Sequence, residues 1–328
     1  MRVLILGGTR FVGRALVEDA MARGWDVTAV HRGRTGSLPE LVRAVFADRE
    51  STAELATALG DDRWDLVVDT WSGAPAVAGI SADLLRGRVA RYGYVSSGSV
   101  YGWGEHVDEN SPVVGGDPDP ADSDRATHYA ADKRGAEMAV LSGFGDALLA
   151  RAGLILGPYE DIGRLPWWLT RIARGGRVVA PGRPQRPLQY VDARDLASWM
   201  WTALAEGVTG PVDVISRSGH ATTATLLEAC VTATGSDAEL VWIDEAELAA
   251  AGVEPWIQLP CWVPEVGEFA GFLESDTSRA AHTGLRCRPV EQTVADTWAW
   301  LQREGQPAPR PDRELPGLPA DLEQRVLG

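Results

Sequence analysis

The first thirteen residues, MRVLILGGTRFVG, restrict the fold more than any other stretch of the chain. Val3-Leu4-Ile5-Leu6 is an apolar run without polar alternation, which marks a strand buried on both faces. Gly7 and Gly8 end it abruptly. Phe11-Val12-Gly13 then leads into an apolar-periodic stretch read as a helix over 13–23. A strand that turns through glycine into a helix offers an anion the free N–H groups and positive dipole end of that helix. Gly7 permits the sharp turn, and Gly13 lets the helix approach the sheet.

The same rhythm repeats. Strands are expected at 25–30, 43–46, 65–69, 92–97 and 147–156, with helices at 51–60, 77–88 and 129–142. Strands alternating with helices predict βαβ units with right-handed crossovers. The fold class is therefore α/β: a Rossmann-type doubly wound parallel sheet with a smaller C-terminal α/β substrate lobe. Residues 1–157 are expected to form the dinucleotide-binding domain. Residues 158–305 are expected to be mainly the lobe, with 187–216 returning to the first domain through a strand at 187–191, a helix at 193–205 and a strand at 212–215. Further helices are expected at 222–234 and 291–303. Residues 306–320 hold five prolines and few large apolar groups, so 306–328 is read as a Pro-rich tail. The loop 115–122 alternates carboxylates with proline and lacks the glycine and terminal glutamate of a calcium loop. No metal site is expected.

A dinucleotide-binding fingerprint has a glycine where this chain has Arg10. The end of the second strand bears on why. A site for NAD usually places Asp or Glu there, accepting from the ribose 2′-OH. This chain reads His31-Arg32-Gly33-Arg34, with no acid. The planar fork of an arginine can hold a 2′-phosphate, which points to NADP, with NAD possible. Either Arg10 holds that phosphate itself or it only crowds the turn. The expected nucleotide-binding set is Gly7, Thr9, Arg10, Phe11, Val12, Gly13, His31, Arg32, Arg34, Asp48 and Thr70, with Asp48 placed to contact the adenine.

Tyr129 and Lys133 stand four residues apart, on one face of a helix. A nearby ammonium favours the phenolate, which suits a group that passes a proton to or from an alcohol or carbonyl. Ser97 falls at the carboxyl end of the fifth strand, where open α/β sheets put their ligands, and can hydrogen-bond a reacting oxygen. The expected catalytic set is Ser97, Tyr129 and Lys133.

Gly7-Gly-Thr-Arg-Phe-Val-Gly13, Val95-Ser-Ser-Gly-Ser-Val-Tyr-Gly102 and Tyr129-Ala-Ala-Asp-Lys133 together resemble the extended short-chain dehydrogenases/reductases of the NAD-dependent epimerase/dehydratase family. Arg151-Ala-Gly-Leu-Ile-Leu-Gly-Pro158, Arg186-Pro-Leu-Gln-Tyr-Val-Asp192 with Asp195, and the stretch from Asp276 to Trp300 are similar to later parts of that family. The resemblance implies that Tyr129 is the acid/base, Lys133 its partner and Ser97 the catalytic hydroxyl. It also implies a homodimer through the helix bearing Tyr129. The GGTRFxG form of the turn is similar to a branch that includes chloroplast stem-loop RNA-binding proteins. Two departures follow from the same match. Gly98-Ser99 stands where 4,6-dehydratases carry Asp-Glu, which argues against elimination. Leu154 stands where sugar-nucleotide epimerases carry an Asn that contacts the diphosphate.

The reading these features favour is an NADP-dependent oxidoreductase of a small carbonyl or alcohol. The alternative is a sugar or sugar-nucleotide epimerase, and a second alternative is a non-catalytic nucleotide- or RNA-binding protein. Ser99, Trp103, Tyr159, Trp167 and Arg186 are the expected substrate-pocket residues, with Arg186 open to either a phosphate grip or a structural ion pair. A net charge of −15 argues against nucleic acid as a partner. No apolar run reaches the length of a membrane helix, and no signal peptide is read at the start. The three cysteines are widely spaced and form no CxxC, so a reducing cytoplasm is expected.

Overall fold

The structure is a computed structural model that describes residues 1–101, 108–123, 125–308 and 314–328. In chain order the first elements are β1 (Arg2–Leu6), α1 (Phe11–Ala22), β2 (Asp26–His31), β3 (Arg43–Phe46), α2 (Thr52–Leu59), β4 (Trp64–Asp69), α3 (Pro75–Leu85), β5 (Val89–Ser97) and α4 (Arg125–Phe144). Next come β6 (Leu148–Ala152), β7 (Ile155–Leu156), α5 (Arg164–Ala173), β8 (Arg177–Pro181), β9 (Pro187–Leu188), β10 (Val191–Asp192), α6 (Ala193–Ala205) and β11 (Gly210–Val214). The chain ends with β12 (Ala221–Thr222), α7 (Thr223–Thr234), β13 (Glu239–Ile243), α8 (Glu245–Ala250), α9 (Ser278–His282), α10 (Val290–Glu304) and α11 (Ala320–Leu327).

A seven-stranded sheet runs β11-β6-β5-β4-β1-β2-β3, parallel throughout. The order reverses direction between β1 and β4, which opens a crevice at their carboxyl ends. Alternation along β1 explains both faces. Val3 and Ile5 join Leu16, Met200 and Trp201 under α1 and α6. Leu4 and Leu6 join Leu55, Leu85 and Val140 under α2, α3 and α4. Fully burying each such aliphatic side chain contributes about 1.5–3 kcal/mol. Trp201 also donates its indole N–H to Leu16 O at 3.1 Å, tying α6 to α1.

Two expected strands are shorter than the sequence suggests. The stretch 147–156 breaks after Ala152, and at Gly153 the chain passes close to Ile215, where a Cβ would meet Ile215 Cδ1 at 2.0 Å. The remaining dyad, β7, pairs with β10 instead. The stretch 187–191 likewise divides into β9, antiparallel to β12, and β10. Gln189 between them is fully buried and spends its side-chain amide on Ser216 O and Ser275 O.

A separate apolar cluster fills the second part of the chain. It joins Trp168 and Leu169 of α5, Val178 and Val179 of β8, Leu226 of α7 and Trp300 of α10. The parallel pair β8–β13 and the helix α5 were not read from sequence. The end of the chain also departs from a loose tail. Leu318 and Leu322 enter this cluster, and Glu323 of α11 pairs with Arg171 at 2.7 Å. No described helix is long and apolar enough to cross a membrane.

Candidate active site

The turn after β1 is built for close approach. Gly7 has φ +95, and a Cβ there would meet Thr70 Oγ1 at 2.4 Å. Thr70 in turn donates its hydroxyl to Leu6 O at 2.9 Å, holding the ends of β1 and β4 together. A Cβ at Gly13 would meet Gly7 O at 2.4 Å, so α1 starts directly against the turn. The side chain of Arg10, the N-cap of α1, makes no capping hydrogen bond, and the first turn carries no acid. This helix end is therefore suited to an anion.

A cleft of about 960 Å³ opens at this turn. Its lining includes every residue from Gly7 to Gly13, with Thr70, Ser97, Ser99, Tyr129 and Lys133. The glycine turn and the three expected catalytic residues thus face one space. Ser97 ends β5 and is nearly buried; its Oγ accepts the Ser99 N–H at 3.1 Å. Tyr129 and Lys133 lie one turn apart on α4. The Lys133 ammonium donates to Val95 O at 2.7 Å, Trp71 O at 2.9 Å and the Tyr94 hydroxyl at 3.1 Å. An ammonium carries three donors. Lys133 is therefore anchored against β5 and the loop after β4.

That anchor continues inward. Trp71 N–H donates to Asp69 Oδ1 at 2.8 Å, and Asp69 is gripped at both oxygens by Arg49, each bond 2.7 Å. Both side chains are buried. Tyr92 adds its hydroxyl to Asp69 at 2.7 Å. Burial and the Asp69 charge hold the Tyr92 phenol far above its ordinary range, so it acts only as a neutral donor.

A second hydrogen-bonded chain runs beside the cleft, whose lining includes its members Ser96, Tyr101, Arg151 and Asp213. Glu137, two turns after Tyr129, takes both forks of Arg151 at 2.9 Å and the Ser96 hydroxyl at 2.7 Å. Arg151 also donates to the Tyr101 oxygen at 2.8 Å, and Tyr101 donates to Asp213 at 2.7 Å. Burial and Asp213 push the Tyr101 phenol well up, which keeps its proton in place. Glu137, Tyr101 and Asp213 were missed in the sequence. Glu137 carried a signal, since it falls four residues beyond Lys133 on the same helix face. Asp213 carried none, because a single acid on an edge strand has no local pattern.

The remaining expected residues separate by location. Arg10 turns toward the lobe and lies 3.4 Å from Asp161, which precedes α5. His31, Arg32, Arg34 and Asp48 lie outside the lining of the cleft, at and beyond the ends of β2 and β3. Arg32 approaches Asp48 at 3.8 Å. His31 accepts the Gly33 N–H at its Nδ1, packs on the Phe46 ring at 4.8 Å and leaves Nε2 buried without a partner. Burial lowers its pKa.

Three residues expected in the pocket lie elsewhere. Tyr159 lines a separate recess of about 270 Å³ with Ala15 and Trp300, under the Arg14 guanidinium. Trp167 packs against Trp168 and the Gly317 backbone, because the returning end of the chain covers it. Arg186 is buried between Glu245 at 3.4 Å and Glu265 at 3.6 Å, the structural pairing rather than the grip. Trp103 lies outside the described residues. The lobe side of the cleft instead uses Ile162, Arg164, Ile215, Trp256, Phe272 and Glu314.

A parallel doubly wound sheet, a glycine turn at its switch point and a Ser–Tyr–Lys set on one cleft define a nucleotide-dependent α/β enzyme of the extended short-chain dehydrogenase/reductase type. The sequence profile of the NAD dependent epimerase/dehydratase family matches residues 3–85 and 80–216, and the chain belongs to that family. Solved structures are similar over nearly the whole chain. The Bordetella bronchiseptica enzyme WbmH, in complex with NAD+, aligns with TM-score 0.69 at 18% identity, over 93% of this chain and 99% of its own. Thermus thermophilus UDP-glucose 4-epimerase, in complex with NAD, aligns with TM-score 0.65 at 20% identity, over 93% and 100%. Bacillus anthracis dTDP-glucose 4,6-dehydratase, in complex with NAD, aligns with TM-score 0.66 at 15% identity, over 93% and 97%. No curated protein sequence matches the chain significantly.

Proposed function

We propose that this protein interconverts a secondary alcohol and a ketone, using a nicotinamide nucleotide held at the glycine turn. The observation that carries the reading is that Ser97, Tyr129 and Lys133 line the same cleft as Gly7–Gly13. The cradle fits such a nucleotide, since glycine at 7 and 13 lets the turn close tightly on Thr70 and on the start of α1, where a Cβ would meet Thr70 Oγ1 or Gly7 O at 2.4 Å, and leaves the helix N-terminus open to an anion. When bound, the nicotinamide supplies the two-electron acceptor and donor for the reacting carbon. Tyr129 takes the hydroxyl proton of the alcohol and returns it to the carbonyl oxygen. Ser97 hydrogen-bonds that oxygen and steadies the charge that develops on it. Lys133 keeps a fixed positive charge on the face of α4 that carries Tyr129.

Of the readings open from sequence, the epimerase has the better support. The compared structures include an epimerase and a dehydratase of sugar nucleotides. Gly98-Ser99 leaves no acid pair after Ser97, which favours epimerisation over elimination. An epimerase returns the hydrogen it removed to the opposite face, so it needs no net supply of reductant. The proposed cofactor is NADP. Those structures hold NAD, so this preference rests on Arg32 and Arg34 and on the lack of an acid among residues 31–34.

The test is stereochemical. Protein loaded with NADP is incubated with a 4-hydroxy hexoside in deuterated water, and the two epimers are counted by NMR. The reading expects interconversion without exchange of the C4 hydrogen into solvent. It also expects Tyr129→Phe to slow the rate by about 10²–10⁴-fold, the usual contribution of general acid–base catalysis. Unchanged turnover in that variant overturns it.

A further inference from the structure

We propose that the lobe half of the cleft takes an uncharged, ring-shaped apolar group rather than a nucleoside diphosphate, and that Trp256 and Phe272 determine this choice. The proposal rests on the reading of the protein as an epimerase of a hydroxylated ring. It names what the same cleft accepts beyond the reacting carbon.

The first observation is the lining. Beyond β6 the apolar part of the lining includes Leu154, Ile162, Ile215, Trp256, Phe272 and Leu273, contributed by five separate segments. The rings of Trp256 and Phe272 meet edge to face, with centroids 5.5 Å apart and planes at 88°. Trp256 holds a left-handed backbone, φ 65, unusual for a bulky aromatic residue. Its N–H is fixed to Trp262 O at 2.9 Å, and the next residue's carbonyl accepts the Gly317 N–H at 2.9 Å. Strain of this kind persists only where the surroundings over-determine it, and it collects at ligand clamps. Here it sets an aromatic edge at the cleft.

The second observation is charge. Among the described lining residues beyond β6, three are acids, Asp161, Asp213 and Glu314, and one is basic, Arg164. The Arg164 guanidinium lies 4.8 Å from the centre of the Trp256 ring. Arg10 faces Asp161 from the turn, and Arg151 is committed to Glu137 and Tyr101. Arg186 is buried between two glutamates away from the cleft. A diphosphate entering beside the nucleotide's own pyrophosphate would meet Arg164 as the one cation of the described lobe lining, with Glu314 in that same lining, in a partly dry space, where unpaired charge is costly. An apolar ring instead gains the transfer of its surface from water and an edge-to-face partner.

Two sugars that differ only beyond the hexose separate these possibilities. The full chain, saturated with NADP, is titrated by calorimetry with p-nitrophenyl β-D-glucoside and with UDP-glucose. The aryl glucoside is expected to bind about ten-fold more tightly. Trp256→Ala and, separately, Phe272→Ala are expected to abolish that preference while leaving NADP affinity unchanged, which also reports that the variants are folded. UDP-glucose binding as tightly as the aryl glucoside or more so, a ratio unmoved in both variants, or no binding of either sugar overturns the proposal. Failure of the underlying reading shows separately, as absent NADP binding or as turnover indifferent to Tyr129→Phe.

Discussion

Arg10 lies 3.4 Å from Asp161, so the arginine that interrupts the glycine turn links that turn to the lobe. It is not directed to the end of β2, where Arg32 stands 3.8 Å from Asp48. The two arginines therefore have separable roles. Arg32→Ala is expected to lower the preference for NADPH over NADH by about ten-fold, the scale of one charge-assisted hydrogen bond. Arg10→Ala is expected to leave that ratio within about two-fold, since its side chain is turned to Asp161 of the lobe and away from the end of β2. Paired fluorescence titrations of both variants with both nucleotides decide it. A larger shift in the Arg10 variant would reverse the assignment.

The buried pair Arg49–Asp69 predicts a stability effect. Its side chains are 7% and 0% exposed, and Asp69 also holds Tyr92 and the Trp71 backbone. Removing one partner strands a charge in the core, which costs about 3–5 kcal/mol. Arg49→Met should lower the denaturant midpoint accordingly. The double variant Arg49→Met, Asp69→Leu should recover a substantial part, because the stranded carboxylate is gone. A double variant no more stable than the single one refutes this explanation.

Glu160 predicts a pH dependence. It is fully buried, and its carboxylate accepts the Arg164 N–H at 2.7 Å and the Leu165 N–H at 3.1 Å. Burial pushes its pKa up to about 7, against the lowering effect of Arg164. The folded state therefore holds this proton more tightly than the unfolded chain, whose carboxyl titrates near the ordinary glutamate value of about 4.3. Between those two values the native state binds more protons, so stability falls as pH rises, by about 4 kcal/mol in total. The contribution is fully present below about pH 4 and lost above about pH 7. Glu160→Gln should remove that slope. The difference between variant and wild type, followed by urea denaturation from mild acid to mild base, should favour the variant only at the alkaline end.

Much of the first half of the chain was readable because its signals are local. A strand buried on both faces is a plain apolar run, as at 3–6, and a glycine turn stands next to it in sequence. The four-residue spacing of Tyr129 and Lys133 survives on any helix. The lobe gave no such help. Its strands β7, β9, β10 and β12 are two residues long, too short to show a period. The lobe wall of the cleft is assembled from distant segments near 162, 215, 256, 272 and 314, so no spacing reveals it. Tyr159 and Trp167 were expected there as aromatics, yet only side-chain direction separates them from Trp256. Arg186 looked available because its partners, Glu245 and Glu265, lie some sixty and eighty residues later.

The central claim is that the glycine turn holds a nicotinamide nucleotide in the cleft that carries Tyr129. Its most direct test is titration of the purified protein with NADPH and NADH, followed by nicotinamide fluorescence. The account predicts saturable binding in the micromolar range, tighter for NADPH. It also predicts at least about ten-fold weaker binding in Gly13→Ala, whose new Cβ would press on Gly7 O at 2.4 Å. Absence of saturable binding of either nucleotide to the wild-type protein, or an unchanged affinity in the variant, would contradict it.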